Sequence, residues 1–594
     1  MKKFWKTVAA VVVGILLCNI IGIFFWLSFI GSLGSLGSST TVTEVPANAI
    51  LNIDMSKLIV AEQTLENDPF SSLSSFSTAD MEIRTIGMLD AVRALESAAA
   101  DPNIRCVYLR PEAAADLSHI EEFRSALGNF RKSGKPVYAY MESATNAGFY
   151  LASVADRIYL SSYHGGMVGL VGLSGQILYF KDLLDMLGVN VQLIRHGKYK
   201  SAGEPYIRST ASKENLEQQR VMIDGLWKEM ISAMASRTEI SEDELNELID
   251  DLELRSADDF LKYGLVDELV TMESMKNKLC AMTGAAKYSE VKSISLYDYA
   301  ALRVKDDLRA ADAIAIIYAD GEIVDGREPN EVAGKRFADL VNEARKDASV
   351  KAVVLRVNSP GGSVVAASQI KEAIDSLRKD KPVVASYGAY AASGGYWISS
   401  NTDYIFSDAT TLTGSIGVFG MIPEFSKAIK KHGHINVYSV NSNEHSDMYR
   451  SMRPFTDDEI EYIQYDIEAI YNEFTSLVAK GRNMSVERVD ELGQGRVWTG
   501  RDALERGLVD EIGGLKDALD YTATKAGLTS YRIVSYPKPM TAIEIMMASF
   551  SDNGAEYLIE GLHLPEAALE AARQISKIGE PAIYARVPYM LDVK

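Results

Sequence analysis

Cysteine is scarce in this chain of 594 residues, which contains only three. Cys18 lies in an uncharged N-terminal run, and Cys106 and Cys280 lie beyond it. Two cysteines cannot build a disulfide framework, and the absence of CxxC and HExxH spacings leaves no motif for a metal site. Cys106 lies in an apolar, strand-like run and is predicted to be a core residue. The scarcity of cysteine fits an oxidising compartment.

Basic residues are outnumbered by acidic ones, 61 to 81, and the formal net charge is −20. This charge argues against nucleic acid as a partner and against a basic membrane-binding surface. Hydrophobic residues make up 47% of the chain and charged residues 24%, as in an ordinary globular protein. The length is too great for one hydrophobic core, so at least two sizeable domains are expected.

Charge is absent from residues 7–30, which follow three lysines near the N-terminus. At about 1.5 Å per residue this run is long enough to cross a bilayer core of about 30 Å, and it exceeds the apolar core of a cleavable signal peptide. It is predicted to be a single transmembrane anchor. The lysines predict that residues 1–6 lie in the cytoplasm and that the bulk of the chain lies on the periplasmic side of the inner membrane. Residues 31–47, rich in Gly, Ser and Thr, are predicted to be a linker.

The chain contains an internal repeat. "KPVYAYMESATNAGFYLAS", from Lys135, matches "KPVVASYGAYAASGGYWIS", from Lys381, and "IRCVYLR" matches "VKAVVLR" at the same offset of 246 residues. These ordered matches predict a tandem duplication, with a first repeat at 48–308, a second at 309–536 and a C-terminal tail at 537–594. Each repeat alternates short β-branched runs with helical periodicity, which predicts an α/β fold with parallel strands.

No histidine lies close in sequence to Ser393, a serine in a glycine-rich turn. In "YGAYAASGGYWISS", Ser393 lies among small residues just before Gly394, and the nearest histidine in sequence is His432. An N-cap serine would look the same. At offset 246, however, Ser393 corresponds to Ala147, so only the second repeat has the hydroxyl. The seven histidines lie mostly in polar contexts, form no motif with this serine and are expected at the surface.

Each repeat also has a feature that the other lacks: a glycine loop in the second repeat and a lysine in the first. The loop "NSPGGS", with Gly361 and Gly362, has no glycine pair at the matching place in the first repeat. Conversely Lys200, in "GKYKSAGEPY", corresponds to Ser446 in the second repeat. A lysine can replace histidine as a base if burial keeps it neutral. Glu204 must then point away from the amine, because a nearby carboxylate would restore the charge. The plainer interpretation is an exposed lysine in a polar loop.

Four motifs, "NSPGGS", "YAASGGYW", "TLTGSIGV" and "GKYKSAGEPY", in a duplicated and anchored chain resemble the long form of the signal peptide peptidase A family. These are membrane-anchored serine proteases of ClpP/crotonase-like fold. The resemblance implies that Ser393 is the nucleophile and that Lys200, from the other repeat, is the general base. It also implies that Ser415 orients the lysine. The oxyanion hole would be formed by Gly361, Gly362 and Gly394.

The resemblance also implies what the enzyme acts on and how it assembles. Its substrates would be signal-peptide remnants and similar apolar, extended peptides. The chain would form a homotetramer and need no metal or organic cofactor. Two other classes compete with this interpretation. One is a crotonase-like acyl-CoA enzyme, which would share the fold and an oxyanion hole, and the other is a catalytically inactive membrane scaffold.

Overall fold

The computed structural model describes residues 44–64, 83–112, 117–163, 168–307, 309–328, 331–538 and 582–586. Among these residues no helix combines the length and the apolar composition needed to cross a membrane. The predicted anchor at 7–30 lies outside the described residues, as do Cys18, His164 and His563. All the elements described below belong to the unit that runs from Pro46 to Lys594.

The elements of the N-terminal half, in chain order, are β1 (Ala49–Asp54), β2 (Leu58–Ala61), β3 (Arg84–Gly87), α1 (Met88–Ala100), β4 (Ile104–Arg110), α2 (Leu117–Arg131), β5 (Val137–Met141), β6 (Ala144–Thr145), α3 (Asn146–Ala152), β7 (Arg157–Ser161), β8 (Val168–Gly169), α4 (Lys181–Leu187), β9 (Asn190–His196), α5 (Glu204–Ile207), α6 (Lys213–Ala235), α7 (Glu242–Asp250), α8 (Ala257–Lys262), β10 (Glu268–Val270), α9 (Met272–Thr283), β11 (Ser293–Ser295) and α10 (Leu296–Arg303).

The elements of the C-terminal half are β12 (Ala313–Asp320), β13 (Ile323–Val324), β14 (Val332–Ala333), α11 (Gly334–Lys346), β15 (Val350–Ser359), β16 (Gly361–Ser363), α12 (Val364–Arg378), β17 (Val383–Ala392), α13 (Gly394–Ser399), β18 (Tyr404–Ser407), β19 (Leu412–Gly414), β20 (Val418–Glu424), α14 (Ser426–Gly433), α15 (Asp457–Arg482), α16 (Val486–Leu492), β21 (Val497–Thr499), α17 (Gly500–Glu505), β22 (Glu511–Ile512), α18 (Leu515–Lys525), β23 (Arg532–Tyr536) and β24 (Ala582–Arg586).

Two parallel sheets have the same strand order, which confirms the α/β prediction. In the first the order is β11-β1-β4-β5-β7-β10, and in the second it is β23-β12-β15-β17-β18-β22. Every neighbouring pair within these two series is parallel. The second sheet continues through β19 and β21 at the end of β17. The duplication seen in the sequence is therefore a duplication of sheet topology.

The central strands of the second sheet are apolar on both faces. In β12, Ala315 and Ile317 pack in one hydrophobic cluster, and Ile314 and Ile316 pack in another. Successive side chains of a strand point to opposite faces, so a strand buried on both sides has a continuous apolar sequence. Helices cover both faces, as expected for parallel strands. Cys106 lies in a corresponding buried cluster of the first sheet, as predicted.

A third sheet joins the two halves of the molecule. Its order is β14-β13-β16-β24-β20-β9, so it combines a first-repeat strand, several second-repeat strands and a strand from the tail. β9 and β20 pair antiparallel along seven residues each, from Asn190 opposite Glu424 to His196 opposite Val418. This pairing carries the segment after His196 into the second repeat.

A buried charge cluster also connects the halves. Arg356, at 1% exposure, donates to Glu62 at 2.7 Å and to Glu122 at 3.0 Å. Burial alone would raise the pKa of Glu62, but Arg356 and His119 lower it to about 2. His119 is itself buried, 3.1 Å from Glu62. The expectation that the histidines lie at the surface is therefore wrong for His119, because a carboxylate from a distant segment compensates for its burial.

Candidate active site

Ser393 lies between β17 and α13 in a backbone conformation that few residues adopt. Its φ is 56° and its ψ is −111°. For a residue with a side chain such a position costs on the order of 1–3 kcal/mol and persists only when the surroundings enforce it. Here the Ser393 amide donates to the Gly414 carbonyl at 2.8 Å, and its carbonyl accepts from Trp397 at 2.8 Å. The strained turn holds the hydroxyl at the end of the central strand.

The Ser393 hydroxyl makes no capping hydrogen bond to α13, although Ser393 occupies the N-cap position. It lies instead 2.7 Å from Nζ of Lys200. Both side chains are buried, with Ser393 at 0% and Lys200 at 1% exposure. The interpretation of Ser393 as an ordinary N-cap serine is thus not supported, and neither is that of Lys200 as an exposed loop lysine.

Lys200 reaches this position through β9. After β9 ends at His196, the chain turns at Gly197, whose φ is 99°, and the Lys200 amide donates to the Gly197 carbonyl at 3.2 Å. The separation between Lys200 and Ser393 is 193 residues. Both belong to the same chain, so the contact needs no second subunit.

Ser415 is the other partner of the amine. Lys200 Nζ lies 2.9 Å from Ser415 Oγ and 3.1 Å from the Ser415 carbonyl oxygen. Ser415 is fully buried, and its φ of 49° is again in the left-handed region. Its amide donates to the Arg496 carbonyl at 2.7 Å. With three oxygen atoms around it, Nζ has a defined direction toward Ser393.

Burial lowers the pKa of the Lys200 amine well below its ordinary value of 10.5. No carboxylate in the described part of the chain opposes this effect. Glu204, which is predicted to point away from the amine, accepts from Arg195 at 3.2 Å and from the Ser212 hydroxyl at 2.8 Å. Its carboxylate is therefore engaged elsewhere, as predicted. The neutral amine can then accept a proton at moderate pH.

Two glycines that sequence reasoning missed pack against the lysine. A Cβ on Gly495, whose φ is 79°, would lie 2.6 Å from the Lys200 amide nitrogen. A Cβ on Gly417 would lie 3.2 Å from Lys200 Cδ. Gly417 belongs to the motif "TLTGSIGV", which was a usable signal, whereas nothing local distinguishes Gly495. These glycines allow the second repeat to close around the first-repeat lysine.

The glycines predicted to form the oxyanion hole belong to β16 and to the start of α13. Gly361 and Gly362 form the start of β16, with φ of 96° and 155°, and the Gly361 amide donates to Ser359 Oγ at 3.2 Å. A Cβ on Gly362 would lie 1.9 Å from the Ile323 carbonyl oxygen, so this position requires glycine. Gly394 is the first residue of α13, where an amide has no partner within the helix. The roles of these three residues remain predictions.

The described histidines do not form a triad with Ser393. His196 lies 2.7 Å from Glu468 and stacks on Tyr471, and His445 lies 2.9 Å from Glu459. His119 belongs to the buried charge cluster described above. A lysine, and not one of these histidines, is the basic group in contact with the serine hydroxyl.

A duplicated α/β fold, in which a strained, buried serine contacts a buried lysine whose pKa is lowered by burial, is typical of serine hydrolases. Comparison with known proteins gives the family. Residues 129–285 and 375–529 match the family described as "Peptidase family S49". The chain is 35% identical over 535 residues to "Protease 4" of Haemophilus influenzae, which covers 88% of this chain and 86% of that protein.

Two further relatives agree with this match. "Serine protease SPPA, chloroplastic" of Arabidopsis thaliana is 29% identical over 486 residues, covering 78% of this chain and 70% of that protein. "Putative signal peptide peptidase SppA" of Enterococcus faecium is 34% identical over 234 residues, covering 38% of this chain and 68% of that protein. The chain belongs to peptidase family S49, and it is a serine protease.

Proposed function

We propose that this protease is an endopeptidase that works through a Ser/Lys dyad, with Ser393 as nucleophile and Lys200 as general base. The observation that carries the proposal is the 2.7 Å contact between Lys200 Nζ and Ser393 Oγ in a buried site. Burial favours the neutral amine, and the neutral amine is the form that can accept a proton.

In the proposed mechanism the Ser393 hydroxyl oxygen attacks the carbonyl carbon of the scissile peptide bond while its proton passes to Lys200 Nζ. The amides of Gly361 or Gly362 and of Gly394 stabilise the resulting oxyanion. The tetrahedral intermediate collapses, the C–N bond breaks, and the leaving amine takes the proton from Lys200. Water then attacks the carbonyl carbon of the Ser393 ester and gives up a proton to Lys200. When this second tetrahedral intermediate collapses, the bond to Ser393 Oγ breaks, Oγ takes the proton from Lys200, and the carboxylic acid is released.

Ser415 is proposed to orient the lysine. Its two oxygen atoms at 2.9 and 3.1 Å restrict the rotation of Nζ, and they keep the amine directed at the serine. Ser415 touches neither substrate nor reacting carbon in this scheme, so its contribution is positioning.

The proposed substrates are cleaved signal peptides and similar apolar, extended peptides. Each repeat of the protease is proposed to have a ClpP/crotonase-like fold. The motif resemblance and the printed name of the Enterococcus faecium relative support this substrate class. The apolar run at residues 7–30 supports an anchor in the inner membrane with the catalytic part outside the cytoplasm. Membership of a peptidase family favours peptide hydrolysis over the acyl-CoA chemistry and the inactive scaffold.

A homotetramer is also proposed. Residues 434–441 are exposed and contain large apolar side chains, with Tyr438 at 91% and Val440 at 90% exposure. Next to them an apolar cavity of about 540 Å³ is lined by residues that include Leu187, Phe425 and Ile435. Apolar surface of this kind is typical of an interface between subunits. Sedimentation analysis of the full chain in detergent, compared with a Tyr438→Asp/Val440→Asp variant, tests this assembly.

Labelling with a serine-directed fluorophosphonate tests the proposed chemistry directly. The full chain should be labelled on Ser393, and Ser393→Ala should not be labelled. Ser415→Thr keeps an acceptor and should be labelled more slowly than the parent chain. Labelling at another serine, or equal labelling of Ser393→Ala, would contradict the assignment of the nucleophile.

A further inference from the structure

The four-residue turn between α16 and β21, residues 493–496, bonds both to the segment of the proposed general base and to the serine that orients it. Its Gln494 carbonyl accepts from the Tyr199 amide at 2.9 Å, one residue before the base. Its Arg496 carbonyl accepts from the Ser415 amide at 2.7 Å. One turn of the second repeat therefore fixes the backbone beside both partners of the amine contact.

The shape of this turn depends on its surroundings. Two successive residues, Gln494 and Gly495, have positive φ, at 57° and 79°. Glutamine adopts such a conformation only where neighbouring groups enforce it. At one end of the turn the Gln494 amide donates to the Tyr471 hydroxyl at 3.2 Å. At the other end the Val497 amide and carbonyl bond to the Gln218 side chain at 3.0 and 2.8 Å. The turn is therefore anchored to α15 and α6.

The middle of the turn packs directly on the lysine. A Cβ on Gly495 would lie 2.7 Å from both Cα and Cβ of Lys200. A Cβ on Gly417 would lie 2.8 Å from the Gly495 Cα. Burial lowers the pKa of the Lys200 amine well below 10.5. Whatever keeps the turn packed on this side chain therefore also sets the pH at which the amine is neutral.

The Arg496 side chain holds the turn against the residue before the lysine. Its guanidinium carbon lies 3.9 Å from the centroid of the Tyr199 ring, and Tyr199 is only 8% exposed. Arg496 also donates to Glu217, which accepts from the Tyr199 hydroxyl at 3.0 Å. The Glu217 side chain is 52% exposed, so this ion pair contributes little. The cation over the sheltered ring is the stronger contact.

The other charged groups of this segment bond to partners other than the Lys200 amine: Arg195 bonds to Glu204 and to the Lys200 carbonyl, His196 bonds to Glu468, and the Lys198 ammonium lies 5.0 Å from the centroid of the Tyr199 ring. The pKa of the amine therefore depends chiefly on its burial.

We propose that Arg496 and Tyr199 are positioning residues for Lys200, and that their stacking keeps the 493–496 turn packed on the lysine, with its amine directed at Ser393 and shielded from water. The proposal rests on the proposed role of Lys200 as general base. Their contribution is positioning, because the groups around the amine itself are Ser393 and Ser415.

Loss of the stacking has two expected consequences. The 2.7 Å contact between Lys200 Nζ and Ser393 Oγ is no longer fixed, so proton transfer slows and kcat falls. Water also reaches the amine, so its pKa rises toward the ordinary value and a smaller fraction is neutral at a given pH. The basic limb of the activity profile therefore moves to higher pH. A loss of overall stability alone would not move it.

Two variants remove the stacking from either side. For Tyr199→Ala and Arg496→Gln we expect kcat for an apolar fluorogenic peptide to fall about 10-fold, with KM changed by less than about two-fold. The midpoint of the pH profile of kcat/KM should move to higher pH in both. Tyr199→Phe keeps the ring and should recover kcat to within about three-fold of the parent chain.

Arg506→Gln is the matched control. The Arg506 guanidinium carbon also lies 3.9 Å from an aromatic centroid, that of Trp498, in the same part of the second repeat. This variant loses a similar contact away from the lysine segment, so kcat and the pH midpoint should stay at the parent values. If Tyr199→Ala fails to fold, Arg496→Lys gives the same test, because it keeps the charge and loses the planar group that stacks.

Hydrogen exchange tests the packing of the turn without catalysis. In a Ser393→Ala background, amides of residues 195–202 should exchange faster with Arg496→Gln than with Arg506→Gln, because the Tyr199 amide bonds to the turn. Unchanged kcat and pH midpoint in folded Arg496→Gln and Tyr199→Ala would overturn the proposal, and so would a lower kcat with an unmoved midpoint. Faster exchange together with robust hydrolysis by Lys200→Arg would contradict the proposed function while supporting the packing of the turn.

Discussion

The two repeats form parallel sheets with the same strand order, but they differ at the end of one pair of equivalent strands, β5 and β17. In the first repeat β5 stops at Met141, and the Thr145 hydroxyl caps α3 by accepting from the Gly148 amide at 3.1 Å. In the second repeat β17 continues to Ala392, and the Ser393 hydroxyl caps nothing. The same topology thus holds a satisfied, inert turn in one copy and a strained turn with an available hydroxyl in the other.

The comparison teaches that the copies have divided the chemistry between them. The first repeat has Ala147 where the second has Ser393, but its strand β9 carries Lys200 into the second repeat. The second repeat has a serine, Ser446, at the position that corresponds to Lys200. Ser446 is exposed and lies in a local network with Asn443. Neither repeat alone contains both members of the contact.

Replacing Ser393, which follows β17, should give the largest effect on activity. Ser393→Ala removes the nucleophile, and we expect kcat for peptide hydrolysis to fall by about 10⁴–10⁶-fold with an unchanged melting temperature. Ala147→Ser, the reverse change in the first repeat, should leave activity unchanged because Lys200 contacts Ser393 in the second repeat. Steady-state hydrolysis of an apolar fluorogenic peptide measures both. Substantial turnover by Ser393→Ala would break the assignment of catalysis to the second repeat.

Replacing the first-repeat lysine should give the next largest effect. Lys200→Arg keeps a positive charge that cannot be removed at working pH, so the base is lost and kcat should fall by about 10²–10⁴-fold. Lys198→Arg is the matched control, since Lys198 is exposed and two residues away. The same peptide assay measures both variants. Robust hydrolysis by Lys200→Arg would show that another group deprotonates Ser393.

The pH dependence of kcat/KM should reflect the buried amine. Lys200 acts as a base only when deprotonated, and burial lowers its pKa well below 10.5. Activity should therefore rise with pH through the folded-state pKa of Lys200 and reach a plateau below the ordinary lysine range. Ser415→Ala removes an acceptor that stabilises the ammonium, so the midpoint should move to lower pH. A profile that Ser415→Ala leaves in place would argue against titration of Lys200.

The smallest expected effect concerns stability at equivalent arginines of the two repeats. Arg356 is buried against Glu62 and Glu122, whereas Arg110, its counterpart at offset 246, is 24% exposed. Arg356→Met removes the guanidinium that faces two buried carboxylates, and we expect the free energy of unfolding to fall by about 3–5 kcal/mol. Arg110→Met breaks partly exposed pairs and should cost about 0–1 kcal/mol. Thermal unfolding of both variants checks this ranking, and equal melting temperatures would contradict it.

Capping residues and apolar periodicity in the sequence were sufficient to predict many of the helices. The helix predicted from "GGSVVAASQIKEAIDSLRK" is α12, which begins at Val364 with Ser363 as its N-cap and ends at Arg378. The long amphipathic segment after Thr456 is α15, capped by Thr456 and Glu459. In both cases the capping residues and the apolar period are contiguous in sequence, so the sequence contains all the information that the helix needs.

Which charged side chains are buried was harder to predict from the sequence. His119 was expected at the surface because its neighbours in sequence are polar, but its partner Glu62 is 57 residues away. The cluster around Arg356 draws acidic groups from both repeats. Whether a charged side chain is buried depends on the arrival of a compensating group, which sequence neighbours do not reveal.

By itself the sequence determined the duplication, the alternation of strands and helices, the Ser393 turn with its glycines, and the absence of a lysine at the Lys200 position in the second repeat. The tertiary structure alone decided that β9 pairs with β20, that Glu204 turns to Arg195, that Gly417 and Gly495 enclose the lysine, and that β24 pairs with β16. The physical reason is separation along the chain. Capping and periodicity act over a few residues, whereas a contact across 193 residues exists only once two sheets have packed and a strand between them has found its register.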